Sequence, residues 1–339
     1  MTGTYTLTIR SSGESFSISE GQSILDAALN NGVLLPYGCR DGACGSCKGR
    51  VVTGEISYPE KALEGITAEE MATGLALFCQ ARAQTDLLID ARVQQHTGEL
   101  PIRKLPCRIE RLDRLNHDVM RIQLKLPATE RLQFLAGQYI DILLADGRRR
   151  SFSLANAPHD DQCLELHVRY YKGGLFSEMA FHELRDKALL RLEGPFGRFG
   201  FRNNPDRPAI MVAGGTGFAP VKSIMEFLLP AGIDRPIHIY WGARTRRDLY
   251  LDALPRDWSN RESLITYHPV LSEPGPADNW QGRTGLVHEA VLEDMPDLGD
   301  YDVYTCGPPP MVEAVRSTFT QRGLPADQIF SDSFEFAAN

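Results

Sequence analysis

Four of the seven cysteines in this chain lie close together in the sequence, and their spacing restricts how its first part can fold. The clustered set is Cys39-x4-Cys44-x2-Cys47 followed, after a longer interval, by Cys79. The other three, which are scattered, are Cys107, Cys163 and Cys306. An odd, clustered set in a chain with no recognisable export signal indicates metal binding rather than a disulfide framework.

The spacing of the clustered set identifies the metal group that it fits best. Four thiolates with this plant-type spacing can bind a [2Fe–2S] cluster, and glycines at 38, 42 and 45 let backbone amides approach its sulfides. A structural zinc site is the alternative, but such sites more often pair two Cys-x2-Cys units. We therefore predict that the ligands of a [2Fe–2S] cluster are Cys39, Cys44, Cys47 and Cys79.

Hydrophobic patterning divides the 339 residues into three regions, which agrees with roughly 150 residues per domain. Residues 1–95 read as a small α+β unit, and residues 96–104 as a polar linker. Residues 105–204 contain short strands at the spacing of an antiparallel β-barrel. Residues 205–339 alternate strands and helices, which predicts an α/β domain with a parallel sheet.

Several local elements are also predicted. A hairpin joins strands at 5–9 and 16–18, Ser23 caps a helix over 24–31, and Thr67 with Glu70 forms a capping box. A single helix over 177–184 interrupts the barrel strands. The helices predicted for the last region cover 221–229, 287–295 and 311–322.

Two segments of the second region have features of a phosphate site. Arg150-Ser-Phe-Ser153 begins a strand, and Gly173-Gly174 precedes a helix that contains Ser177. The first amides of a helix and its dipole favour an anion, and Arg150 can add a bidentate contact. Each segment alone is more typical of an edge strand or of a capped turn than of a phosphate site.

A glycine-rich loop between a strand and a helix marks the third region. Gly214-Gly-Thr-Gly217 permits a tight turn close to a pyrophosphate, and Pro220 suits the first helical turn. Pro220 takes the place of the third glycine of Gly-x-Gly-x-x-Gly. After the next strand, arginines at 244, 246 and 247 can bind a 2′-phosphate, whereas Asp248 can repel it or accept a ribose hydroxyl.

The order of these motifs resembles known families. Residues 1–95 resemble the plant-type ferredoxin domain, a β-grasp fold, and residues 103–339 resemble the ferredoxin–NADP reductase superfamily. By this resemblance, Arg150 binds the FAD pyrophosphate, Phe152 packs on the flavin and Ser153 hydrogen-bonds near its reactive nitrogen. FMN is the alternative flavin. The residues that the resemblance assigns to the flavin are Tyr139, Arg150, Ser151, Phe152, Ser153, His167, Val168, Arg169, Gly173, Gly174 and Ser177.

The same resemblance implies a nicotinamide site next to the flavin. The residues that it assigns to the coenzyme are Gly214, Gly215, Thr216, Gly217, Pro220, Arg244, Gly307 and Met311. Ser153, Cys306 and Phe334 are predicted as catalytic residues, with Phe336 as the alternate aromatic. The family usually has Glu where this chain has Asp332.

The resemblance of the whole chain implies an NADH-dependent electron-transfer reductase that passes electrons from NADH through FAD and [2Fe–2S] to a partner oxygenase. NADPH is the alternative coenzyme. The alternative acceptor is a CDP-6-deoxy-hexulose 3-dehydratase, as for a CDP-6-deoxyglucoseen reductase. A non-enzymatic iron–sulfur carrier or sensor, whose nucleotide domain is regulatory, is a hypothesis from another class.

Net charge and hydropathy limit the partners and the cellular compartment that we expect. The net charge of -8 argues against nucleic acid, because phosphate binding needs a positive surface. Residues 1–95 contain half of that net charge, which indicates either plain solubility or an acidic face for a redox partner protein. No apolar run approaches the roughly 18 residues that span a bilayer, and the alternating N-terminus lacks a signal-peptide core. We therefore expect no membrane partner and a cytoplasmic location.

Overall fold

The computed structural model of the chain describes residues 3–31, 33, 35–37, 42, 45, 47–60, 63–91, 93, 100–197, 199–202, 204 and 206–334. The chain forms two compact units. The first contains Met1–Arg103 with Leu126–Phe134 and Pro158–Asp161, and the second contains Lys104–Lys125, Leu135–Ala157 and Gln162–Asn339.

The first unit is built on a mixed five-stranded sheet of order β2-β1-β7-β3-β5, in which β1 pairs antiparallel with β2 and parallel with β7. Its elements are β1 Thr4–Ile9, β2 Ser15–Ser19, α1 Ile24–Asn30, β3 Lys48–Thr53, β4 Ile56–Ser57, α2 Ala68–Ala72, β5 Leu75–Leu77, β6 Arg82–Ala83 and β7 Leu87–Asp90. The predicted hairpin is confirmed, and so is the α+β character of this region.

The helix starts of the first unit follow the capping signals in the sequence. The Ser23 side chain accepts a hydrogen bond from the Asp26 amide, so α1 begins at Ile24. In α2, Thr67 and Glu70 form the reciprocal capping box. The short strands β4, β5 and β6 were not predicted, because two or three residues carry no recognisable period.

The barrel is a six-stranded sheet of order β11-β10-β13-β8-β9-β12, and its assigned strand pairs are antiparallel. A further antiparallel bridge between Leu154 and Leu166 joins the two ends of this order and closes the barrel. Its elements are β8 Arg103–Arg114, β9 Val119–Lys125, β10 Tyr139–Leu143, β11 Arg149–Ser153, β12 Leu164–Arg169, α3 Leu175–Glu178 and β13 Leu189–Phe196.

Two boundaries in this region differ from the predictions. The helix predicted over 177–184 begins earlier, at Leu175, and its second half is a π-helical turn over Met179–Glu183. The last two residues of the predicted linker belong to β8, which begins at Arg103. Alternation of buried and exposed residues already starts there, so the polar composition of the linker concealed the strand. Residues 94–99 lie outside the described residues.

The last region is a parallel six-stranded sheet of order β17-β16-β15-β14-β18-β19. Its elements are β14 Ala209–Gly214, α4 Phe218–Leu228, β15 Ile237–Ala243, α5 Ala253–Arg261, β16 Ile265–Leu271, β17 Arg283–Thr284, α6 Val287–Asp294, β18 Asp302–Gly307, α7 Pro309–Thr320 and β19 Ile329–Ser333. In this sheet β14 lies between β15, the next strand along the chain, and β18, which comes after β17. The strand order therefore reverses at β14. Ligands bind at such a reversal of strand order, beside the carboxyl ends of the strands.

Two hydrophobic clusters stabilise the parallel sheet, one on each face. Phe218 of α4 stacks on Trp241 of β15 with ring centroids 4.0 Å apart. No helix among the described residues is both long and apolar enough to cross a membrane.

Candidate functional site

Two predicted cluster ligands, Cys47 and Cys79, are buried together in the first unit. The two side chains are in hydrogen-bond contact, and the Gly42 amide donates toward Cys79. The contact with Cys47 and burial raise the pKa of the Cys79 thiol. Adjacent buried thiols with an amide donor beside them fit a thiolate-bound [2Fe–2S] cluster. Cys39 and Cys44, with Gly38, lie outside the described residues.

The loop glycines near these thiols are required by the backbone. Gly42 has φ +83° and Gly45 has φ +72°, a region that other residues rarely adopt. A Cβ at Gly42 would lie 2.9 Å from Leu63 Cδ2, and one at Gly45 would lie 3.0 Å from the Gly65 carbonyl oxygen. Both positions therefore require glycine.

The second unit contains a cavity of about 650 Å³ that is lined from both the barrel and the parallel sheet. The predicted residues that line it are Tyr139, Arg150, Ser151, Phe152, Ser153, His167, Val168, Arg169, Gly173, Gly174, Ser177, Gly214, Thr216 and Phe334. Those that do not line it are Gly215, Gly217, Pro220, Arg244, Cys306, Gly307 and Met311. Phe336 lies outside the described residues. A cavity of this volume is in the range of cofactor sites.

Arg150 provides an anion-binding group in this cavity. Its Nη1 donates to the Arg149 carbonyl over 2.7 Å. Its Nη2 is buried and has no acceptor among the residues that the structure describes. A buried guanidinium nitrogen without a partner is costly unless a ligand supplies the acceptor, so this residue fits a phosphate group.

The glycine pair before α3 is arranged differently from the prediction. The Gly173 amide donates to Glu178 Oε1, and the Gly174 amide donates to the Tyr171 carbonyl. Neither amide is therefore open to an anion. The first positions of the helix belong to Leu175 and Phe176, whose amides have no intrahelical acceptor and both of which line the cavity. The predicted anion site shifts by one to two residues.

A carboxyl group from the parallel sheet meets the barrel at the cavity. Ser153 at the end of β11 donates to Asp332 Oδ2 of β19 over 3.2 Å. Burial raises the pKa of Asp332, and the hydrogen bond from Ser153 opposes that shift only in part. Phe334 lies two residues after Asp332, and its amide donates to the Gly307 carbonyl over 3.0 Å. Ser153, Asp332 and Phe334 therefore lie in one cavity.

The glycine-rich loop packs against the segment that follows β18. A Cβ at Gly217 would overlap the Cys306 carbonyl oxygen, and one at Gly214 would lie 2.6 Å from Met311 Sδ. The buried Cys306 thiol donates to the Gly217 carbonyl over 2.9 Å, and burial raises its pKa well above the ordinary value. Cys306 thus contacts the loop and not the cavity. Pro220 is the third residue of α4, where no amide donor is needed.

The loop after β15 contains Asp248, for which the sequence suggested contact with a ribose hydroxyl or repulsion of a 2′-phosphate. This carboxylate is buried, and its Oδ2 accepts from both the amide and the hydroxyl of Thr245 at 2.9 Å. Its Oδ1 lies 3.8 Å from Arg169, which also binds Asp118 over 2.8 Å. Asp248 therefore has a local structural role, in which Oδ2 caps the turn and Oδ1 faces Arg169. Arg244 is exposed and makes no side-chain hydrogen bond or ion pair with any described residue.

Several residues near these sites were not predicted. The Tyr58 hydroxyl accepts from the Leu77 amide over 3.2 Å, and burial together with Cys47 and Cys79 raises its pKa. The other unpredicted residues that line the cavity are Tyr171, Lys172, Leu175, Phe176, Ala219, Pro308, Asp332 and Ser333. Only Asp332 carried a signal in the sequence, as the substitute for the usual Glu.

Three family models match the chain. They are the 2Fe-2S iron-sulfur cluster binding domain over residues 7–84, the oxidoreductase FAD-binding domain over 106–201 and the oxidoreductase NAD-binding domain over 211–317. These matches confirm the predicted fold class and the predicted set of three cofactors.

The chain is also similar to individual proteins along nearly its whole length. It is 41% identical to the CDP-6-deoxy-L-threo-D-glycero-4-hexulose-3-dehydrase reductase of Yersinia pestis, over 95% of this chain and 96% of that protein. It is 34% identical to the xylene/toluene monooxygenase electron transfer component XylA of Pseudomonas putida, over 97% and 93%. The crystal structure of the Amycolatopsis cytochrome P450 reductase GcoB matches with a TM-score of 0.65 and 32% identity, over 97% and 98%.

Proposed function

Because this chain belongs to the flavin iron–sulfur reductases that join a ferredoxin, an FAD-binding and an NAD-binding domain, we propose that it supplies electrons from NADH to a separate acceptor enzyme. The chain is an NAD(P)H-dependent oxidoreductase in which electrons pass through FAD to the [2Fe–2S] cluster. When bound, FAD accepts two electrons from the coenzyme and the cluster passes electrons on singly.

One observation carries the proposal for the reacting site. The Ser153 hydroxyl of the barrel and the Asp332 carboxyl of the parallel sheet form a hydrogen bond inside a cavity that both halves line. Transfer between two reactants needs both to be held close and aligned, and a cavity that both halves line would hold them so. We propose Ser153 and Phe334 as the groups that contact the reacting rings. Cys306 would not contact the rings. It would position the glycine loop through its hydrogen bond to the Gly217 carbonyl.

The barrel residues would hold FAD by its phosphates and its ring. The unpaired Arg150 Nη2 and the first amides of α3 supply donors for a pyrophosphate. The ring of Phe152 lies 5.0 Å from that of Phe176, which gives the flavin an apolar wall. The remaining residues that we propose for FAD are Tyr139, Ser151, His167, Val168, Arg169, Gly173, Gly174 and Ser177.

Ser153 and Asp332 would also hold a proton and donate it at the reacting site. Burial raises the pKa of Asp332, so its carboxyl keeps a proton to higher pH than an exposed aspartate does. Ser153 Oγ can donate to the cavity while it accepts from a protonated Asp332 Oδ2. The pair could therefore pass a proton from the carboxyl group to a ligand in the cavity.

We propose NADH as the preferred coenzyme, with contacts from Gly214, Gly215, Thr216, Gly217, Pro220, Gly307 and Met311. Arg244 would contact the adenosine end. The Arg246 guanidinium instead donates through Nη1 to the Asp278 carbonyl over 3.4 Å. The ratio of kcat/KM for NADH and NADPH tests the preference, and Arg244→Ala should lower both values by no more than about tenfold. A higher kcat/KM for NADPH would reverse the assignment.

The acceptor is proposed from the relatives. The higher identity to a hexulose-dehydrase reductase, 41% against 34% for a monooxygenase component, favours a CDP-6-deoxy-hexulose 3-dehydratase over an oxygenase. Mixing the purified reductase and NADH with each acceptor and its substrate should give product with the dehydratase and little with a xylene-type monooxygenase. Product with the oxygenase alone would assign the other acceptor.

The remaining predictions are proposals of the same kind. We propose a ferredoxin domain over 1–95, a linker over 96–102, an FAD domain that begins with β8 at Arg103 and ends at 204, and a nucleotide domain over 205–339. Limited proteolysis should cut first within residues 94–102, and a first cut elsewhere would move the boundary. A cytoplasmic location is supported by Cys107 and Cys306, two buried cysteines outside the proposed ligand set that form no disulfide. Cell fractionation tests it.

A further inference from the structure

Lys222 is a buried lysine on the helix that follows the coenzyme loop. It lies in the second turn of α4, and its side chain is only 10% exposed. Its ammonium group donates to the Ala155 carbonyl over 3.0 Å and to Glu226 Oε2 over 2.8 Å, and it lies 3.3 Å from Glu165 Oε1. An ammonium has three donors, and here all three face acceptors. Two of those acceptors belong to the barrel.

The neighbouring residue makes a second bond to the same barrel segment. The buried Ser223 hydroxyl donates to the Asn156 carbonyl over 2.7 Å. Ala155 and Asn156 follow Ser153, the last residue of the proposed flavin motif, by two and three positions. The helix that begins at the coenzyme loop is therefore attached directly to the strand end that carries the flavin contacts.

Glu165 extends these contacts to the cavity wall. Its Oε1 lies 2.8 Å from Nε2 of the fully buried His167, whose Nδ1 lies 3.0 Å from the Tyr250 hydroxyl. Burial by itself raises the pKa of Glu165, but His167 and Lys222 lower it to about 2. An ionised carboxylate only accepts, so His167 Nε2 donates to Glu165 and His167 Nδ1 accepts from Tyr250. The bonds thus have one defined direction.

We propose that Lys222 is a positioning residue for the transfer between coenzyme and flavin. It fixes the start of α4, and the glycine loop before it, against Ala155 of the barrel and against Glu165, which orients His167. The inference rests on the proposed function, because it concerns the alignment of the two reactants. Alignment is a sensitive quantity, since a displacement of about 1 Å can lower a rate about 10²-fold.

The test compares Lys222→Met with the wild-type holoprotein. Anaerobic stopped-flow reduction by NADH should show a limiting rate at least about tenfold lower, with a Kd for NADH within about twofold. In the coenzyme-free protein, hydrogen exchange at residues 153–157 and 218–223 should be faster. Lys222→Arg, which can donate to the same acceptors, should retain a rate within about threefold of wild type.

A matched control and a milder variant keep the test decisive. Lys125→Met removes an exposed lysine of β9 that lies 3.9 Å from Glu110, and it should leave both the rate and the exchange unchanged. If Lys222→Met does not retain FAD, Ser223→Ala tests the same attachment, with an expected fall of about two- to fivefold in the limiting rate.

Wild-type rate and exchange in a folded Lys222→Met, or in Ser223→Ala when that variant is needed, would overturn the inference. A loss of stability with an unchanged limiting rate would also overturn it, because that result marks a purely structural ion pair. Failure of the wild-type protein to react with NADH would instead refute the proposed function. The exchange measurement would still report whether Lys222 attaches α4 to the barrel.

Discussion

The Ser153 hydroxyl and the Asp332 carboxyl show how single residues determine the chemistry of the cavity. Ser153 ends a barrel strand, Asp332 lies on the edge strand β19, and the hydrogen bond between them spans 3.2 Å. Burial raises the pKa of the carboxyl group, and Ser153 beside it is also buried. When Asp332 is protonated, Ser153 accepts from it and can donate its own proton to a ligand in the cavity.

Replacement of Ser153 by Ala should slow the reduction of bound flavin by NADH about 10²-fold, because it removes a preorganised donor at the reacting site. Stopped-flow absorbance at the flavin band measures the rate. Ser317→Ala, which alters an exposed hydroxyl bonded to the Ala314 carbonyl, is the matched control and should react as wild type does. Equal rates for both variants would remove Ser153 from the site.

Asp332 should make stability depend on pH in a direction that its environment fixes. Its folded pKa is raised, so its contribution to stability is complete below the unfolded pKa of about 3.9 and is lost as pH rises through the folded pKa. Asp332→Asn does not titrate. The melting temperature of Asp332→Asn minus that of wild type should therefore rise between pH 4.5 and pH 7. A difference that does not change with pH would contradict the burial argument.

Sequence reasoning finds residues that belong to local motifs and misses those paired over long distances. Arg150 and Ser153 belong to one short segment and were predicted together. Lys222 meets Glu165 only because α4 packs on the barrel, and no spacing rule connects residues so far apart. Asp248 was considered as a ligand contact, but its Oδ2 already accepts hydrogen bonds from Thr245, three residues earlier. Local hydrogen bonds of this kind decide which charged residues remain free.

At the scale of elements, the glycine loop and the segment after β18 determine each other's course. Gly217 has no room for a side chain because the Cys306 carbonyl lies against it, and the Cys306 thiol donates to the Gly217 carbonyl. Gly214 meets Met311 in the same way. These glycines therefore let the two loops pack closely on each other, in addition to the predicted close contact of the backbone with a pyrophosphate.

A methyl group at Gly217 should separate these loops. Gly217→Ala should destabilise the protein by about 1–3 kcal/mol and lower its melting temperature by several degrees, because overpacking forces the backbone to move. Gly275→Ala is the matched control, since its Cβ would meet nothing closer than Asp278 Oδ2 at 3.8 Å. Thermal unfolding of both variants checks this, and equal melting temperatures would mean that the loops yield without cost.

The elements that were predicted share strong local signals, and those that were missed lack them. The capping box at Thr67 located α2, and the alternation of strands and helices predicted for residues 205–339 is confirmed. Helix α5 was missed because it has a proline in its first turn and no apolar residue after Trp258. The edge strands β17 and β19 were missed because they take their conformation from a neighbouring strand.

At the scale of the whole molecule, three cofactor-binding domains in one chain separate the acceptance of electron pairs from the delivery of single electrons. The cysteine spacing and the order of the motifs were enough to predict this arrangement, because cluster ligation and phosphate binding depend on short local sequences. The acceptor could not be predicted, because it depends on surface shape and charge that no local motif records.

The separation of the two functions can be tested with cysteine variants. Cys79→Ser should abolish the [2Fe–2S] signal in electron paramagnetic resonance yet leave flavin reduction by NADH within about threefold of wild type, because the cavity lies in the other unit. Cys107→Ala, at a cysteine equally buried but outside the ligand set, should keep the cluster. A bound cluster in Cys79→Ser would exclude that residue as a ligand.

The most direct test of the account is an anaerobic titration of the purified holoprotein with NADH, followed by visible absorption and by low-temperature electron paramagnetic resonance. The account predicts that the flavin absorbance bleaches and that a rhombic [2Fe–2S] signal appears in the same protein. If NADH and NADPH both leave flavin and cluster oxidised, the chain is not a reductase, and the non-enzymatic carrier or sensor becomes the better description.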